Sequence, residues 1–261
     1  MVRMFVYGLV LSGLLCLMTA LPARAQDAAA NVARAQQTLT EITKLLDAIQ
    51  ARQAALAQGR ATGGATAETG NWKPLFDGKS LAGWKRTNFS GGGEAHVDPN
   101  FRGGPAAIVV DAGDPLSGIT WTSDMPKTNY EITLEAMKID GNDFMCGLTF
   151  PVGDSYASLI LGGWGGGVAG ISSIENQDAS ENETSRTLSF PKDHWFKIRM
   201  RVTPAKLETW LDDKKIVDVN ITGKKISLRF GEISKSVPLG LATYQTSAAY
   251  RAIKLHQLET P

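Results

Sequence analysis

The chain has very little cysteine, two residues in 261, Cys16 and Cys146. Cys16 falls in an N-terminal leader, so the mature chain keeps one thiol, which excludes an intramolecular disulfide and a thiolate metal cluster. Free cysteine packs as a small apolar group, and Cys146 reads as a buried strand residue. Histidine is equally scarce. His96, His194 and His256 lie far apart, next to no acidic motif, so no zinc-binding spacing exists. An excess of either charge is missing too: 27 basic residues face 26 acidic ones, and loss of Arg3 and Arg24 with the leader takes the 27 down to 25. No basic patch is left for nucleic acid and no polybasic segment for an anionic membrane.

The leader is Met1–Ala25. Arg3 supplies the positive start, Phe5–Leu21 the apolar stretch, and Ala23-Arg24-Ala25 a small-residue cleavage site before Gln26. An uncleaved anchor fits less well, because Gly, Ser and Thr interrupt the apolar stretch and Pro22 ends it. Lipid attachment at Cys16 is disfavoured by Leu15, where a small residue is needed. The expected location is periplasmic or secreted, with no membrane attachment after cleavage.

Residues 26–58 are rich in Ala, Gln, Leu and Lys, and from Ala28 to Gln58 lack Pro and Gly, which favours helix. Val32, Leu39, Leu46 and Gln53 occupy one position of a seven-residue repeat, and Ala35, Ile42, Ile49 and Leu56 another. That stripe suits either a coiled coil, pairing chains into a homo-oligomer through 28–58, or one amphipathic helix. Residues 59–70, rich in Gly, Ala and Thr, read as a flexible linker to a domain spanning 71–261.

That domain reads as all-β. Tyr130, Ile132, Leu134 and Ala136 alternate with Glu131, Thr133 and Glu135, the period of a half-buried strand. Phe196, Ile198, Met200 and Val202 alternate likewise with Lys197, Arg199 and Arg201. Lys206–Leu211 and Ile216–Val219 flank a hairpin turn at Asp212-Asp213-Lys214-Lys215, and Leu239–Tyr244 and Tyr250–Leu258 close the domain. Short strands with Gly, Pro and Asn punctuation predict an antiparallel β-sandwich or jelly roll.

Two features point to chemistry. Between the apolar runs Tyr156–Leu161 and Val168–Ile174 lies Gly162-Gly163-Trp164-Gly165-Gly166-Gly167. Trp164 is either a plug over the core or a flat face offered outward; with no bulky sequence neighbour to bury it, it is expected to offer its ring to a ligand, with Gly163 and Gly165 letting that ligand approach the backbone. Next comes Glu175–Thr184, holding Glu175, Asp178, Glu181 and Glu183, then Arg186, which can either donate to a ligand's hydroxyls or neutralise Glu181 and Glu183.

The phrase Leu75-Phe76-Asp77-Gly78, Leu81 and Gly83-Trp84 resembles the opening of the 3-keto-disaccharide hydrolase domain family, and Tyr250–Leu255 resembles its closing strand. The similarity covers about 71–258. It implies a concanavalin-like (laminin-G-like) sandwich and an association with sugars, including cleavage of glycosides oxidised at C3. Many members carry an acid-bearing Tyr-Glu-x-Gln-x-x-Asp strand; here the corresponding Tyr156–Gly162 holds no acid. Members also often carry a Gln-x-His-Gly phrase before the last strand, where this chain has Tyr244-Gln245-Thr246-Ser247.

Glycoside cleavage uses two facing carboxyls. The candidates are Asp143, Glu175, Asp178, Glu181 and Glu183, although the three-residue spacing of Glu175, Asp178 and Glu181 departs from the E-x-D-x-x-E strand of family 16 glycoside hydrolases. No cofactor or metal is required by this reading; Asp178, Glu181 and Glu183 offer calcium oxygen ligands without its D-x-D-x-D-G loop phrase. Two functions follow: a glycoside hydrolase-like enzyme, which the density of acids at 175–183 favours, or a non-catalytic carbohydrate-binding module multimerised by its helix.

Overall fold

A computed structural model describes residues 31, 34–44 and 70–259. The leader, most of the 26–58 segment and the linker up to residue 69 lie outside the described residues. The chain divides into two compact units, Met1–Thr69 and Gly70–Pro261.

In the first unit, residues 34–44 are helical. Thr38, Thr40 and Thr43 donate their hydroxyls to carbonyls one turn back, at 2.8–3.0 Å. Two members of the seven-residue stripe, Leu39 and Ile42, are exposed, at 65% and 48%. Among the described residues no helix is long and apolar enough to cross a membrane.

The second unit is a sandwich of two antiparallel sheets. The first sheet runs β13 (Lys214–Asn220), β12 (Lys206–Leu211), β11 (Trp195–Val202), β6 (Tyr130–Gly141), β15 (Thr246–Gln257), β4 (Ala107–Val110), β3 (Ala95–Asp98), with β1 (Trp72–Pro74) also on β15. The second runs β10 (Arg186–Thr187), β9 (Val168–Ser172), β8 (Ser155–Gly162), β7 (Cys146–Val152), β14 (Gly240–Tyr244), β5 (Leu116–Trp121), β2 (Trp84–Arg86). The predicted all-β sandwich is what the chain forms.

Alternation explains which side chains fill the space between the sheets. Tyr130, Ile132, Leu134 and Ala136 of β6 meet Phe196, Ile198, Met200 and Val202 of β11 in one core, with Leu148, Leu159 and Ile171 from the second sheet. On the outer face, register places Glu131 opposite Arg201 and Glu135 opposite Arg251, and both pairs close at 2.6 Å. These contacts satisfy Glu131, which is only 5% exposed.

The β12–β13 turn is tighter than the sequence suggests. Asp212 and Asp213 alone form it, both left-handed at φ 48° and 68°, and Lys214 already belongs to β13. Aspartate tolerates that backbone region, which a two-residue hairpin requires. The opening phrase is a lock. Trp84 donates its indole N–H to the Leu75 carbonyl at 2.7 Å and packs edge-on against Trp121. The Asp77 carboxylate accepts the amides of Ser80 and Lys79 at 2.9 and 2.7 Å, and those bonds lower its pKa.

Candidate carbohydrate groove

The outer face of the second sheet carries a cavity of about 350 Å³. Strand parity selects its floor. Ala157, Leu159 and Leu161 of β8 point into the core, so Ser158 and Ile160 point the other way, beside Ser172 of β9. Leu116 and Tyr244 close one side, with Phe144 packed against Tyr244. Two loops supply the rest: Gly162–Gly167 after β8, and the stretch from Arg229 to Ile233 before β14.

The first loop stands on Asp143. One oxygen of its carboxylate accepts the Phe144 amide at 2.8 Å and the other accepts the Gly165 amide at 2.9 Å. Trp164, Gly165 and Gly166 are consecutively left-handed, at φ 51°, 83° and 105°. The turn so made brings the Gly165 amide onto the Asp143 carboxylate, and glycine at two of its three positions adopts that backbone freely. The backbone so fixed presents Trp164 at the cavity wall, 43% exposed.

The second loop answers it with Arg229 and Phe230. The Arg229 guanidinium carbon lies 5.8 Å from the centre of the Trp164 ring, and its Nε lies 3.3 Å from the Asp178 carboxylate. The other Asp178 oxygen accepts the Ser172 hydroxyl at 2.9 Å. Phe230 is fully exposed, at 103%. Glu232 takes the Ser90 amide at 2.7 Å and Lys235 at 2.5 Å, and its pKa is lowered by Lys235 first and by that amide second.

The structure separates the candidate acids. Asp143 lines the cavity and Asp178 stands one hydrogen bond behind its floor. Glu175 instead accepts the Lys225 amide, Glu183 pairs with Lys224, and Glu181 accepts the Asp178 amide at 3.3 Å. Arg186 donates to the Ser185 and Glu183 carbonyls at 2.7 and 3.1 Å. Inside this acidic loop the side-chain amide of Asn182 bonds the carbonyls of Ile171, Gln177 and Asp178, while Thr184 bonds the Ile171 amide. The loop is a built cover over β9, and its carboxylates tie it to its neighbours. Gly163 is buried at the start of the tryptophan loop, and Gly165 faces Asp143.

Arg229, Phe230, Ser158 and Ser172 were not among the sequence candidates. Phe230 offered one signal: like Trp164, it stands beside a glycine in a stretch without alternation. Among the described residues no three His, Cys, Asp or Glu side chains gather as metal ligands, and the calcium candidates Asp178, Glu181 and Glu183 turn to separate partners. Cys146 is fully buried, and burial pushes its thiol up to about 12.

Sheet order and groove together define a jelly-roll β-sandwich with a ligand-sized cavity on one sheet face. The profile of the 3-keto-alpha-glucoside-1,2-lyase-like domain matches residues 71–256, and the chain belongs to that family. No curated protein matches the chain. Solved structures similar to it include the carbohydrate-binding module CBM66 from Bacillus subtilis, at 14% identity and TM-score 0.46, covering 67% of this chain and 95% of that one. Another is domain 4 of AbnA, an extracellular arabinanase from Geobacillus stearothermophilus in complex with arabinotriose, at 10% identity and TM-score 0.44, covering 67% and 82%. A third is a Bacillus subtilis protein of unknown function with a galectin-like fold, at 10% identity and TM-score 0.47, covering 72% and 94%.

Proposed function

We propose that the chain is an exported carbohydrate-binding protein whose cavity receives a sugar against Trp164 and Phe230. The observation that carries this reading is the pair itself. Two large apolar side chains on separate loops stay exposed, at 43% and 103%, and both line the same cavity of about 350 Å³. Aromatic faces take the CH face of a sugar, while Arg229 and the hydroxyls of Ser158 and Ser172 meet its oxygens. The sequence favoured an enzyme mainly through the density of acids at 175–183. With Glu175, Glu181 and Glu183 engaged in holding their own loop, that support is withdrawn and binding becomes the better reading.

Family membership favours a second reading. In a glucoside carrying a ketone at C3, the proton on C2 is acidic. A carboxylate can remove it, a C1–C2 double bond forms, and the C1 alcohol leaves with a proton. Asp143 and Glu232, which line the cavity, and Asp178, which touches its floor, are the acids placed to serve.

Calorimetric titration with oligosaccharides separates the readings. Trp164→Ala is expected to weaken binding by about 0.5–1.5 kcal/mol, the scale of an aromatic contact beyond area burial, with an almost unchanged melting temperature. Product analysis with 3-keto glucosides is expected to show no turnover. Turnover abolished by Asp143→Asn, Asp178→Asn or Glu232→Gln, with binding kept, would establish the enzyme instead.

A further inference from the structure

The sheet face that carries the cavity is otherwise covered by the protein's own loops. A Cβ placed on Gly118 of β5 would meet Phe89 at 3.2 Å, and one on Gly147 of β7 would meet Phe144 at 3.0 Å. On Gly240 of β14 it would strike Ser236 at 2.5 Å. On the far side, Gly170 of β9 lies under the Ala179 carbonyl and the Thr184 hydroxyl, each 3.0 Å from its Cβ position. Hydrogen bonds fasten two of these covers: Asn182 and Thr184 to Ile171, and the Thr120 hydroxyl to the Lys235 carbonyl at 3.3 Å. A polysaccharide running across the sheet would need both flanks of the floor clear. Here Gly118, Gly147 and Gly240 are roofed on one side and Gly170 on the other, which leaves open only the patch between Leu116 and Tyr244 at one side and Ser158 and Ser172 at the other.

The uncovered part is small and deep. Ser158, Ser172 and Ile160 line the cavity, yet only 2%, 4% and 6% of each is exposed. An open platform would show its floor to solvent, whereas this is the bottom of a pit. Its volume of about 350 Å³ stands at the low end of the roughly 300–1,000 Å³ of small-molecule sites. The exposed aromatics sit at the mouth and the hydroxyls at the base.

We infer that the cavity takes the terminal ring of a glycan end-on and does not accept an internal segment of a chain. This rests on the carbohydrate reading above and names the substrate class within it. The terminal ring enters between Trp164 and Phe230, and the remainder of the glycan extends into solvent.

Linear and cyclic glucans of one linkage differ in whether they possess an end, so they test the inference directly. The full mature chain is titrated calorimetrically with maltose through maltohexaose against α-cyclodextrin, and with linear against cyclic β-1,2-glucans. Linear probes of one series are expected to bind with affinities within about twofold of each other, and the cyclic partner at least about tenfold more weakly. Phe230→Ala is expected to weaken the linear probes several-fold without admitting the cyclic ones, and circular dichroism checks its fold. Affinity that climbs with chain length, or cyclic probes that bind like linear ones, would overturn the end-on inference and leave carbohydrate binding standing. Absence of binding to every linear and cyclic probe would overturn both.

Discussion

Replacing Asp143 by alanine tests whether one carboxylate presents the tryptophan. Its two oxygens accept the Phe144 amide at 2.8 Å and the Gly165 amide at 2.9 Å, and the second bond holds the loop. Trp164 sits at φ 51°, a left-handed backbone that costs an L-residue roughly 1–2 kcal/mol. A hydrogen bond to a charged acceptor contributes roughly 1.5–3 kcal/mol, and the lower end applies because Gly165 is exposed and water can replace the carboxylate. The two quantities nearly balance, so the latch is just strong enough to hold the strained residue. Without it Trp164 is expected to relax toward ordinary backbone angles and take its ring from the cavity wall. Sugar affinity should fall by the stacking contribution, about 0.5–1.5 kcal/mol or roughly two- to twelvefold. Stability should change little, since the loop lies at the rim. Hydrogen exchange at the Gly165 amide reads the latch directly and should speed up. In a double-mutant cycle, Asp143→Ala should add almost nothing once Trp164 is alanine. Unchanged exchange at Gly165, or affinity losses that add in full, would refute the latch.

Gly170→Ala should cost about 1–3 kcal/mol by overpacking against Ala179 and Thr184, measured by urea unfolding; a neutral result would mean that the acidic loop is a loose cover. Lys138 is 5% exposed with no hydrogen bond or ion pair on its Nζ among the described residues, and burial lowers its pKa below 10.5, with Asp143 opposing and Lys192 adding to the shift. Between that lowered value and 10.5 the unfolded chain binds the proton more tightly, so this group's contribution to stability rises with pH through that window. Lys138→Met should therefore raise the melting temperature at neutral pH and flatten the alkaline rise, while a drop in melting temperature would mean that the ammonium is needed. Removing residues 1–69 should leave a cooperative β melt and, if the helix pairs chains, lower the number of chains per particle seen by light scattering; a particle that holds one chain before and after would end the pairing proposal.

Alternation was legible wherever a strand has one wet face. β6 and β11 could be read because charged residues on their outer sides meet each other across the sheet. β4 could not, because all four of its residues, Ala107 to Val110, are buried. A second small cluster, Phe101 with Met137, Val109 and Ala249, covers the face that water would otherwise mark. The family phrase was readable for a different reason. Trp84 bonds Leu75, and Asp77 fixes the turn between them through Lys79 and Ser80, all within ten residues, so their chemistry is local and survives as a sequence signature.

The site was legible in the same measure as its interactions are local. Trp164 could be picked out because glycines on both sides leave it nothing nearby to pack against, and it does line the cavity. The acids could not be sorted by sequence, for a physical reason. A carboxylate that accepts a backbone amide and one awaiting a ligand look alike in sequence, and the difference lies in partners such as Lys224 and the Lys225 amide, more than forty positions away. Those partners belong to the segment that ends in Arg229 and Phe230, so the contacts that engage Glu175 and Glu183 also anchor the arm that walls the cavity. Asp178 continues the link by holding Arg229 on one oxygen and the floor hydroxyl of Ser172 on the other. The acidic loop thus acts on the groove through Arg229 and Phe230, residues its own sequence does not contain.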